Sequence, residues 1–414
     1  MCSQPKDYIL TRSEVQANAE DWLDSALQIK YHGTKCSTPM LLKVLLGAAA
    51  RTASVFATCR GLDDVPTDQT IRNALSATLP EDILELERRL NRGLVTRIPK
   101  ALYHKSRALA IDLTLIPYHG EPARDAKEIF RGEPKSGTSH FHAYATAVVL
   151  HKGYRYTVAL RHVEYGESMK NVVQRLLAIV RRQGIKISYL LLDKGFYSAE
   201  VIQYLYRAKC PFILPVIVRG RKPKKGKIPP GSLRDLRRRK NGYYPFTLDS
   251  KPTKKQKEEK GKKPIRVKTT ICVASKSWKD KKTGKQRRNK QMFVVWKIRR
   301  TPWEIREIYR TRFGIETSFR QMNEAKIKTC TRDPRQRLLF VGIALILRNV
   351  WVWLHFRYFT KGKYSAEPEV ALECLRFREM LSWIEYIIGK ALGIDKSLGL
   401  DVQTYQRFMA KYSP

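Results

Sequence analysis

The spacing of hydrophobic residues changes along the chain and predicts where helices and strands lie. Up to about residue 100, apolar residues recur at helical spacing, as in LLKVLLGAAARTASVFATCRGL (41–62) and TDQTIRNALSATL (67–79). A break at DDVP separates the two segments, and Thr67 is a plausible N-cap for the second. The exposed face of that second helix would carry Gln69, Arg72 and Asn73. This helix-turn-helix-like pattern predicts a DNA-binding domain over residues 1–104, and it also fits an ordinary helical hairpin.

From about residue 105 the pattern becomes that of a mixed α/β fold. Strands are predicted for RALAIDLTLIPYHG (107–120), HFHAYATAVVL (140–150), YRYTVALRHV (154–163), ISYLLLDKGFYS (187–198), PFILPVIV (211–218) and QMFVVWKI (291–298). Helices are predicted for SMKNVVQRLLAIVRRQG (168–184), AEVIQYLYRAKC (199–210) and a long segment from about 302 to 328. The order of these elements predicts a mixed sheet with helices on its faces, built from residues 105–218 and 291–356.

Between those two parts lies a strongly basic insertion. Residues 219–290 contain 28 Lys or Arg against 5 Asp or Glu. The runs YYPFTL (243–248) and IRVKTTICVA (265–274) favour a folded, β-rich module, and a disordered solubilising loop is the alternative. Residues 357–414 are predicted to form a C-terminal helical segment.

The overall charge points to a polyanionic partner. The chain of 414 residues has a formal net charge of +42, which nucleic acid would neutralise. A membrane is not expected, because the longest apolar run (338–347) is about half a bilayer span. The N-terminus shows no secretory pattern, and the seven cysteines include no CxxC, so we expect a cytoplasmic, nucleoid-associated protein. The absence of GxxxxGK[ST] and GxGxxG predicts no ATP binding.

Two aspartates occupy costly positions in apolar strands. Asp112 interrupts LAIDLTLI, and Asp193 directly follows ISYLLL. A charged side chain there is unfavourable unless it is paired or binds a metal. If the two strands are neighbours in the sheet, the carboxylates converge at one edge. Alternatively, Asp112 is a bulge residue and Asp193 caps the turn at Lys194-Gly195.

A third acid is predicted on the long helix. At 100° per residue, Tyr309, Arg312, Glu316 and Asn323 fall within a stripe of about 60°. An adjoining apolar face would pack on the sheet and hold Glu316 at the rim of the core. Taken by itself, Glu316 is better explained by a salt bridge with Arg312 or Arg320 on a solvated helix. Three carboxylates would suit two hard ions, Mg²⁺ or Mn²⁺, which act together in displacement at phosphorus.

These segments resemble a known family. AIDLT, LLLDKGFYS and YRTRFGIETSFRQMN are similar to the three acid-bearing segments of insertion-sequence DDE transposases. Tyr309, Arg312 and Glu316 match the helix signature of Tyr, Arg, Glu and Lys in register, but Asn323 occupies the lysine position. Lys326 and Arg320 are the nearest cations that could replace that lysine.

The resemblance implies a ribonuclease H-like catalytic core interrupted by a largely β insertion domain. It implies that Asp112, Asp193 and Glu316 are the catalytic residues and the ligands of two Mg²⁺ or Mn²⁺ ions, and that Tyr309, Arg312, Arg320 and Lys326 contact DNA. The expected partners are double-stranded transposon ends and target DNA, with a homodimer in the synaptic complex. A non-catalytic DNA-binding relative and a ribonuclease H-like structure-specific nuclease are the alternatives.

Overall fold

The computed structural model describes residues 10–121, 127–151, 154–218, 228–250, 264–279, 283–361 and 369–394, with 406, 407 and 410. At residues 101, 313, 315–317, 361 and 369 it describes the backbone alone. The helices are α1 (Arg12–Leu27), α2 (Thr38–Ala50), α3 (Val55–Arg60), α4 (Asp68–Thr78), α5 (Ile83–Val95), α6 (Ala101–His104), α7 (Met169–Arg182), α8 (Ala199–Arg207), α9 (Leu233–Leu236), α10 (Pro302–Arg310), α11 (Gly314–Glu324), α12 (Pro334–Tyr358) and α13 (Phe377–Leu392). The strands are β1 (Arg107–Pro117), β2 (Phe130–Lys135), β3 (Thr138–His151), β4 (Tyr154–Val163), β5 (Ile187–Leu192), β6 (Phe212–Pro215), β7 (Gly242–Ser250), β8 (Ile265–Lys279), β9 (Gln286–Trp296), β10 (Thr360–Lys361) and β11 (Glu369–Val370).

One mixed sheet organises the protein. Its order is β2-β3-β1-β5-β6-β9-β8-β7, with β4 also paired to β3. β4, β3 and β1 are antiparallel, whereas β5 and β6 run parallel to β1. The order β4-β3-β1-β5-β6, with helices α7 and α8 between the later strands, is that of a ribonuclease H-like core. The predicted fold class is therefore confirmed.

The edge strand β4 is covered by side chains from two helices. The side chain of Asn91, on α5, exchanges two hydrogen bonds of 2.8 Å with the backbone of Leu160. Asn349, on α12, does the same with Thr157, at 3.0 and 2.7 Å. These bonds satisfy backbone groups that would otherwise be open to a further strand.

The N-terminal and C-terminal helices pack together as one helical layer. α1 contacts α5, α12 and α13, and α13 also contacts α2. Trp22 on α1 is fully buried and donates to the carbonyl of Gly93 on α5 at 2.7 Å. A Cβ at Gly93 would lie 2.3 Å from the Cβ of Ala26, so only glycine allows this close approach. Residues 395–405 and 411–414 of the predicted C-terminal segment lie outside the described residues.

The sequence predicted one helix over residues 41–62, and this prediction is wrong because the structure has two helices there. α2 ends at Ala50, and Thr52 adopts a left-handed φ of 53°. Ser54 then caps α3 by accepting a hydrogen bond from the N–H of Ala57 at 3.1 Å. The predicted N-cap of α4 is confirmed, since the Thr67 hydroxyl accepts from the N–H of Thr70 at 3.3 Å.

The basic insertion continues the central sheet. β7 and β8 match the two predicted β-like runs, and β9 crosses the predicted boundary at residue 290 and pairs with β6 of the core. The hydroxyl of Tyr206, on α8, bonds that of Thr269, on β8, at 2.8 Å. Residues 219–227, 251–263 and 280–282 of the insertion lie outside the described residues, and the domain boundaries stay predictions.

Among the described residues, one helix is long and apolar enough to cross a membrane by length and composition. It is α12, and 94% of its most apolar 18-residue window is buried inside the protein. Its polar residues also bond to neighbouring elements: buried Arg348 donates to the side chain of Gln321 and to the carbonyl of Arg155, at 3.1 and 2.9 Å. These contacts are typical of a core helix in a folded protein.

Candidate active site

Asp112 lies on β1 with its carboxylate largely withdrawn from water. β1 is paired on both sides, with β3 and with β5, and its register with β3 runs without a bulge through Asp112, which faces Thr146. The bulge alternative is therefore wrong. Burial raises the pKa of Asp112 to about 6, and the nearby Arg312 limits that rise.

Asp193 lies directly after β5, the parallel neighbour of β1. Its Oδ2 accepts from the N–H of Gly195 at 3.4 Å and so caps a short 3₁₀ turn, Lys194–Phe196. Its Oδ1 is left to face Arg312. The residue therefore caps the turn, as the alternative interpretation proposed, and also points a carboxylate oxygen toward Asp112. The predicted convergence of the two aspartates is confirmed.

Arg312 bridges the two aspartates. One guanidinium nitrogen lies 3.0 Å from Asp112 Oδ2 and the other lies 2.9 Å from Asp193 Oδ1. The Arg312 side chain is 6% exposed, against 12% for Asp112 and 30% for Asp193. A buried cation shared between two carboxylates offsets the cost of withdrawing them from water. The side chain thus points into the site, and its predicted contact with DNA phosphate stays a prediction.

Tyr309 contacts both Arg312 and the end of β5. It is 5% exposed, and its hydroxyl donates to the carbonyl of Leu192, the residue before Asp193, at 3.2 Å. Its ring packs on Phe293 with centroids 4.9 Å apart, and the guanidinium of Arg312 lies 5.6 Å from the ring centroid. Burial raises the pKa of Tyr309, so the phenol stays neutral. The contacts tie Tyr309 to the end of β5, and its predicted role at DNA is untested.

The long helix predicted over 302–328 is interrupted at the site. α10 ends at Arg310, a 3₁₀ turn spans Thr311–Phe313, and α11 begins at Gly314. A 3₁₀ turn advances about 120° per residue in place of 100°, so the predicted single stripe does not hold beyond Arg310. Gly314 lets the Arg155 side chain lie against the backbone at this break, because a Cβ there would lie 1.7 Å from the guanidinium carbon of Arg155.

The third predicted acid is placed only by its backbone. Glu316 lies in the first turn of α11, and its side chain lies outside the described residues. Within the described side chains no group of three His, Cys, Asp or Glu is close enough to hold a metal ion. Asp112 and Asp193 nevertheless fit a hard divalent cation, because their facing oxygens already surround one positive charge.

The other predicted DNA contacts are spread over two regions. Arg320 and Asn323 are exposed on α11, whereas Lys326 lies beyond its end and is half-buried. Gln69, Arg72 and Asn73 are exposed on α4, where Gln69 bonds Asn73 at 2.8 Å and Arg72 pairs with Asp68 at 2.7 Å. The structure does not bring these two sets together with the acids, and their binding roles stay predictions.

Two features of this region differ from what the sequence predicted. It placed Arg312 toward DNA, whereas the guanidinium pairs with both aspartates. It also missed the cations after α11, Lys328, Arg332 and Arg337, which line cavities with Lys326. The spacing of these cations in the sequence is the signal that could have found them.

Comparisons with known proteins agree with this architecture. Residues 103–350 match the family model described as a transposase DDE domain. No curated protein matches the chain. Among solved structures, the piggyBac transposase synaptic complex with hairpin DNA is similar, with 14% sequence identity and a TM-score of 0.49 over 98% of this chain and 86% of that one. Since the family model covers more than half of the chain, including Asp112, Asp193 and Glu316, the chain belongs to the transposase DDE domain family.

Proposed function

We propose that this protein is the transposase of an insertion sequence. It binds the terminal inverted repeats of the element, cleaves the DNA at the element ends and joins the 3′-OH ends to target DNA. The observation that carries the proposal is the pairing of Asp112 and Asp193 at neighbouring strand positions inside the region that matches the family. The high positive charge of the chain supports DNA as the substrate.

Asp112, Asp193 and Glu316 would hold two Mg²⁺ or Mn²⁺ ions. When bound, such ions activate the attacking oxygen and stabilise the leaving oxygen in displacement at phosphorus. Burial of Asp112 keeps water away from one side of the site, and Tyr309 fixes the backbone from which Asp193 extends. Arg312 donates to one oxygen of each aspartate, so an ion at these carboxylates would share that oxygen with the guanidinium or displace it.

DNA would be the macromolecular partner, and a homodimer would hold the two ends together. Arg320, Lys326 and the exposed residues of α4 are the proposed DNA contacts. Different residues would position the scissile phosphate and provide affinity for DNA, because affinity arises from many phosphate contacts outside the acid cluster.

The test uses DNA that carries the two ends of the element flanking the gene. The full chain is incubated with this DNA and Mg²⁺ or Mn²⁺, and the nicks are mapped to the nucleotide. We expect cleavage at the ends and joining to target DNA. Asp112→Asn, Asp193→Asn and Glu316→Gln should each lower the cleavage rate by at least about 1,000-fold, or ~4 kcal/mol of barrier.

A matched control and binding measurements separate this proposal from its alternatives. Asp24, exposed on α1, is far in sequence from the site, so Asp24→Asn should cleave at the wild-type rate. End binding should survive in all four variants. Binding without cleavage by the wild type would indicate a non-catalytic relative, and cleavage without preference for the element ends would indicate a structure-specific nuclease.

A further inference from the structure

A cavity lies further along β1 from Asp112. It has a volume of about 200 Å³ and lies between the end of β1, the middle of β3 and the start of α12. Its polar lining includes Tyr144, Lys326, Lys328 and Arg337. A wider cavity of about 510 Å³ adjoins it, shares Arg337 and adds Arg332. We call these two cavities together the β1–α12 groove.

Four cations line the groove, Lys326, Lys328, Arg332 and Arg337. Each of the two arginines already interacts with another group of the protein. Within the described part of the chain, neither Lys326 nor Lys328 forms an ion pair. Glu324, the acid nearest in sequence, has its pKa raised by burial, and the charges of Arg378 and Arg320 oppose that rise. Asp333, further along the chain, is held by Arg335 at 3.1 and 2.9 Å. Burial and then the charge of Arg337 lower the pKa of Lys326. Glu121 lines only the wider cavity.

Tyr144 adds a neutral donor to this lining. The residue is 1% exposed, and within the described residues its hydroxyl has no hydrogen-bond partner. Burial raises its pKa, with Arg337 opposing that rise and Glu128 adding to it, so the phenol keeps its proton. An ammonium group can only donate and a neutral phenol can also donate, so an oxyanion is a ligand that accepts from both.

The position of the groove relative to Asp112 indicates which oxyanion it takes. Ile116 lines the groove and lies four residues after Asp112 on β1, so both side chains share one face of the sheet. Thr114 lies between them and faces Tyr144 on β3. Four residues of strand span about 13 Å, which is about four nucleotides of rise along a DNA strand.

We propose that the β1–α12 groove binds a backbone phosphate of DNA about four nucleotides from the bond positioned at Asp112. The inference rests on the proposed function, since it takes DNA as the substrate. The lining segment follows α11, which carries Glu316, and the N–H of Lys328 bonds the carbonyl of Ala53 at 3.0 Å. A phosphate in the groove would therefore contact the link between the helical layer and the acid-bearing helix.

Equilibrium binding to DNA tests the groove without any cleavage. The probe is a 30-base-pair duplex of arbitrary sequence, with the full chain and EDTA, followed by fluorescence anisotropy over a range of salt concentrations. Lys326→Gln with Lys328→Gln should weaken binding at least threefold and reduce the slope of log affinity against log salt by about 1. Arg182→Gln with Lys390→Gln, which removes two exposed cations elsewhere, should change neither quantity. Equal slopes for the two double variants would overturn the proposal.

A tyrosine variant tests the hydrogen bond separately from the charge. Tyr144→Phe keeps the ring and removes one donor, so it should weaken duplex binding about two- to fivefold while the salt slope stays unchanged, as expected for one lost hydrogen bond. Wild-type affinity in this variant would remove Tyr144 from the site.

Lysine footprinting locates the contact directly. Acetylation of Lys326 by an amine-reactive reagent, followed by mass spectrometry, should slow at least fivefold when the duplex is bound, whereas Lys390 should react equally in both states. The inactive Asp193→Asn variant should show the same protection, so failure of the groove and failure of the proposed function remain distinguishable. Protection by 10 mM inorganic phosphate without protection by the duplex would indicate a small-anion site and overturn the DNA assignment.

Discussion

At the scale of single residues, Arg312 has two proposed roles that the sequence could not distinguish: it pairs with the two aspartates, and it donates to the DNA phosphate. Its guanidinium satisfies Asp112 and Asp193 in the structure, so removing it leaves two neighbouring carboxylates with less positive charge beside them. We predict that Arg312→Ala binds Mn²⁺ at least about threefold more tightly, measured by electron paramagnetic resonance of free Mn²⁺.

We also predict that Arg312→Ala cleaves a pre-bound DNA end at least about tenfold more slowly, or roughly 1.4 kcal/mol of barrier, because the phosphate loses a bidentate donor.

Two neighbouring residues serve as controls for Arg312. Arg310, two residues earlier, is exposed and pairs with Glu307 at 2.6 Å, so Arg310→Ala should leave Mn²⁺ affinity unchanged. Asn323→Ala should slow cleavage less than Arg312→Ala, since Asn323 is exposed on α11. An unchanged Mn²⁺ affinity in Arg312→Ala would show that the guanidinium does not compete with ions at the aspartates.

Glu87 gives a prediction about pH that is independent of the active site. Arg161 is shared between Glu87 and Glu167, at 3.4 and 2.9 Å, so it neutralises neither fully. Burial raises the pKa of Glu87 from 4.5 to about 7, with Arg161 and the N–H of His162 opposing the rise. The folded state therefore holds the proton more tightly, and this contribution to stability is complete below about pH 4.5 and lost as the pH rises through about 7.

Replacing Glu87 by glutamine should remove that pH dependence. The free energy of unfolding of the wild type, relative to Glu87→Gln, should fall by on the order of 2 kcal/mol between pH 5 and pH 8. Urea unfolding at each pH measures it, and Glu81→Gln, an exposed change just before α5, should show no such trend. A difference that stays flat with pH would mean that Glu87 is ionised throughout.

The two aspartates could be predicted from the sequence because burying a carboxylate in an apolar strand costs free energy, so its presence there indicates a partner or a function. Glu87, Asn91 and Asn349 were missed, although each is a buried polar residue on a helix. Their partners are backbone or side-chain groups of β4 that are 69 or more residues away in sequence. No local pattern encodes such a partner, and only the packing of α5 and α12 against β4 reveals it.

At the scale of elements, the break between α10 and α11 orients Arg312. Helical periodicity predicted the existence of the helix but not its interruption, and it could not show that the guanidinium of Arg155, on β4, occupies the space beside Gly314. We predict that Gly314→Ala lowers stability by about 1–3 kcal/mol, the usual cost of overpacking, and slows cleavage. Thermal unfolding and single-turnover cleavage measure the two effects.

A double-mutant cycle tests the cause of that cost. Arg155→Ala frees the space next to residue 314, so adding Gly314→Ala to this variant should cost less than about 0.5 kcal/mol of stability. Gly342→Ala provides a comparison, because its Cβ would lie 2.5 Å from Leu90 and not near Arg155. Equal costs of Gly314→Ala in both backgrounds would show that the backbone itself, and not Arg155, requires glycine.

At the scale of the whole molecule, the sheet joins the acid site to the basic insertion. The sequence predicted both parts and placed the strand over 291–298 in the core sheet, but it could not predict that β7 and β8 extend that sheet beyond β9. The pairing of β6 with β9 joins residues about 80 apart, and no local pattern encodes such a partner. Ile271 and Val273 of β8 are fully buried in consequence. Deleting residues 221–290 would therefore expose core surface as well as remove charge, so point substitutions are the sharper experiment.

The exposed cations near the β8–β9 turn supply that experiment. Lys279, Lys285 and Arg288 are exposed, and we expect them to contact the DNA backbone and not base edges. Changing all three to glutamine should reduce the slope of log affinity against log salt by up to about 2.7, or ~0.9 for each lost phosphate contact. The control changes three exposed cations elsewhere to glutamine and so removes the same charge. They are Arg182 on α7, Arg376 at the N-cap of α13 and Lys390 on α13. If both triple variants lose the same slope, only net charge matters, and the insertion is not a DNA-binding surface.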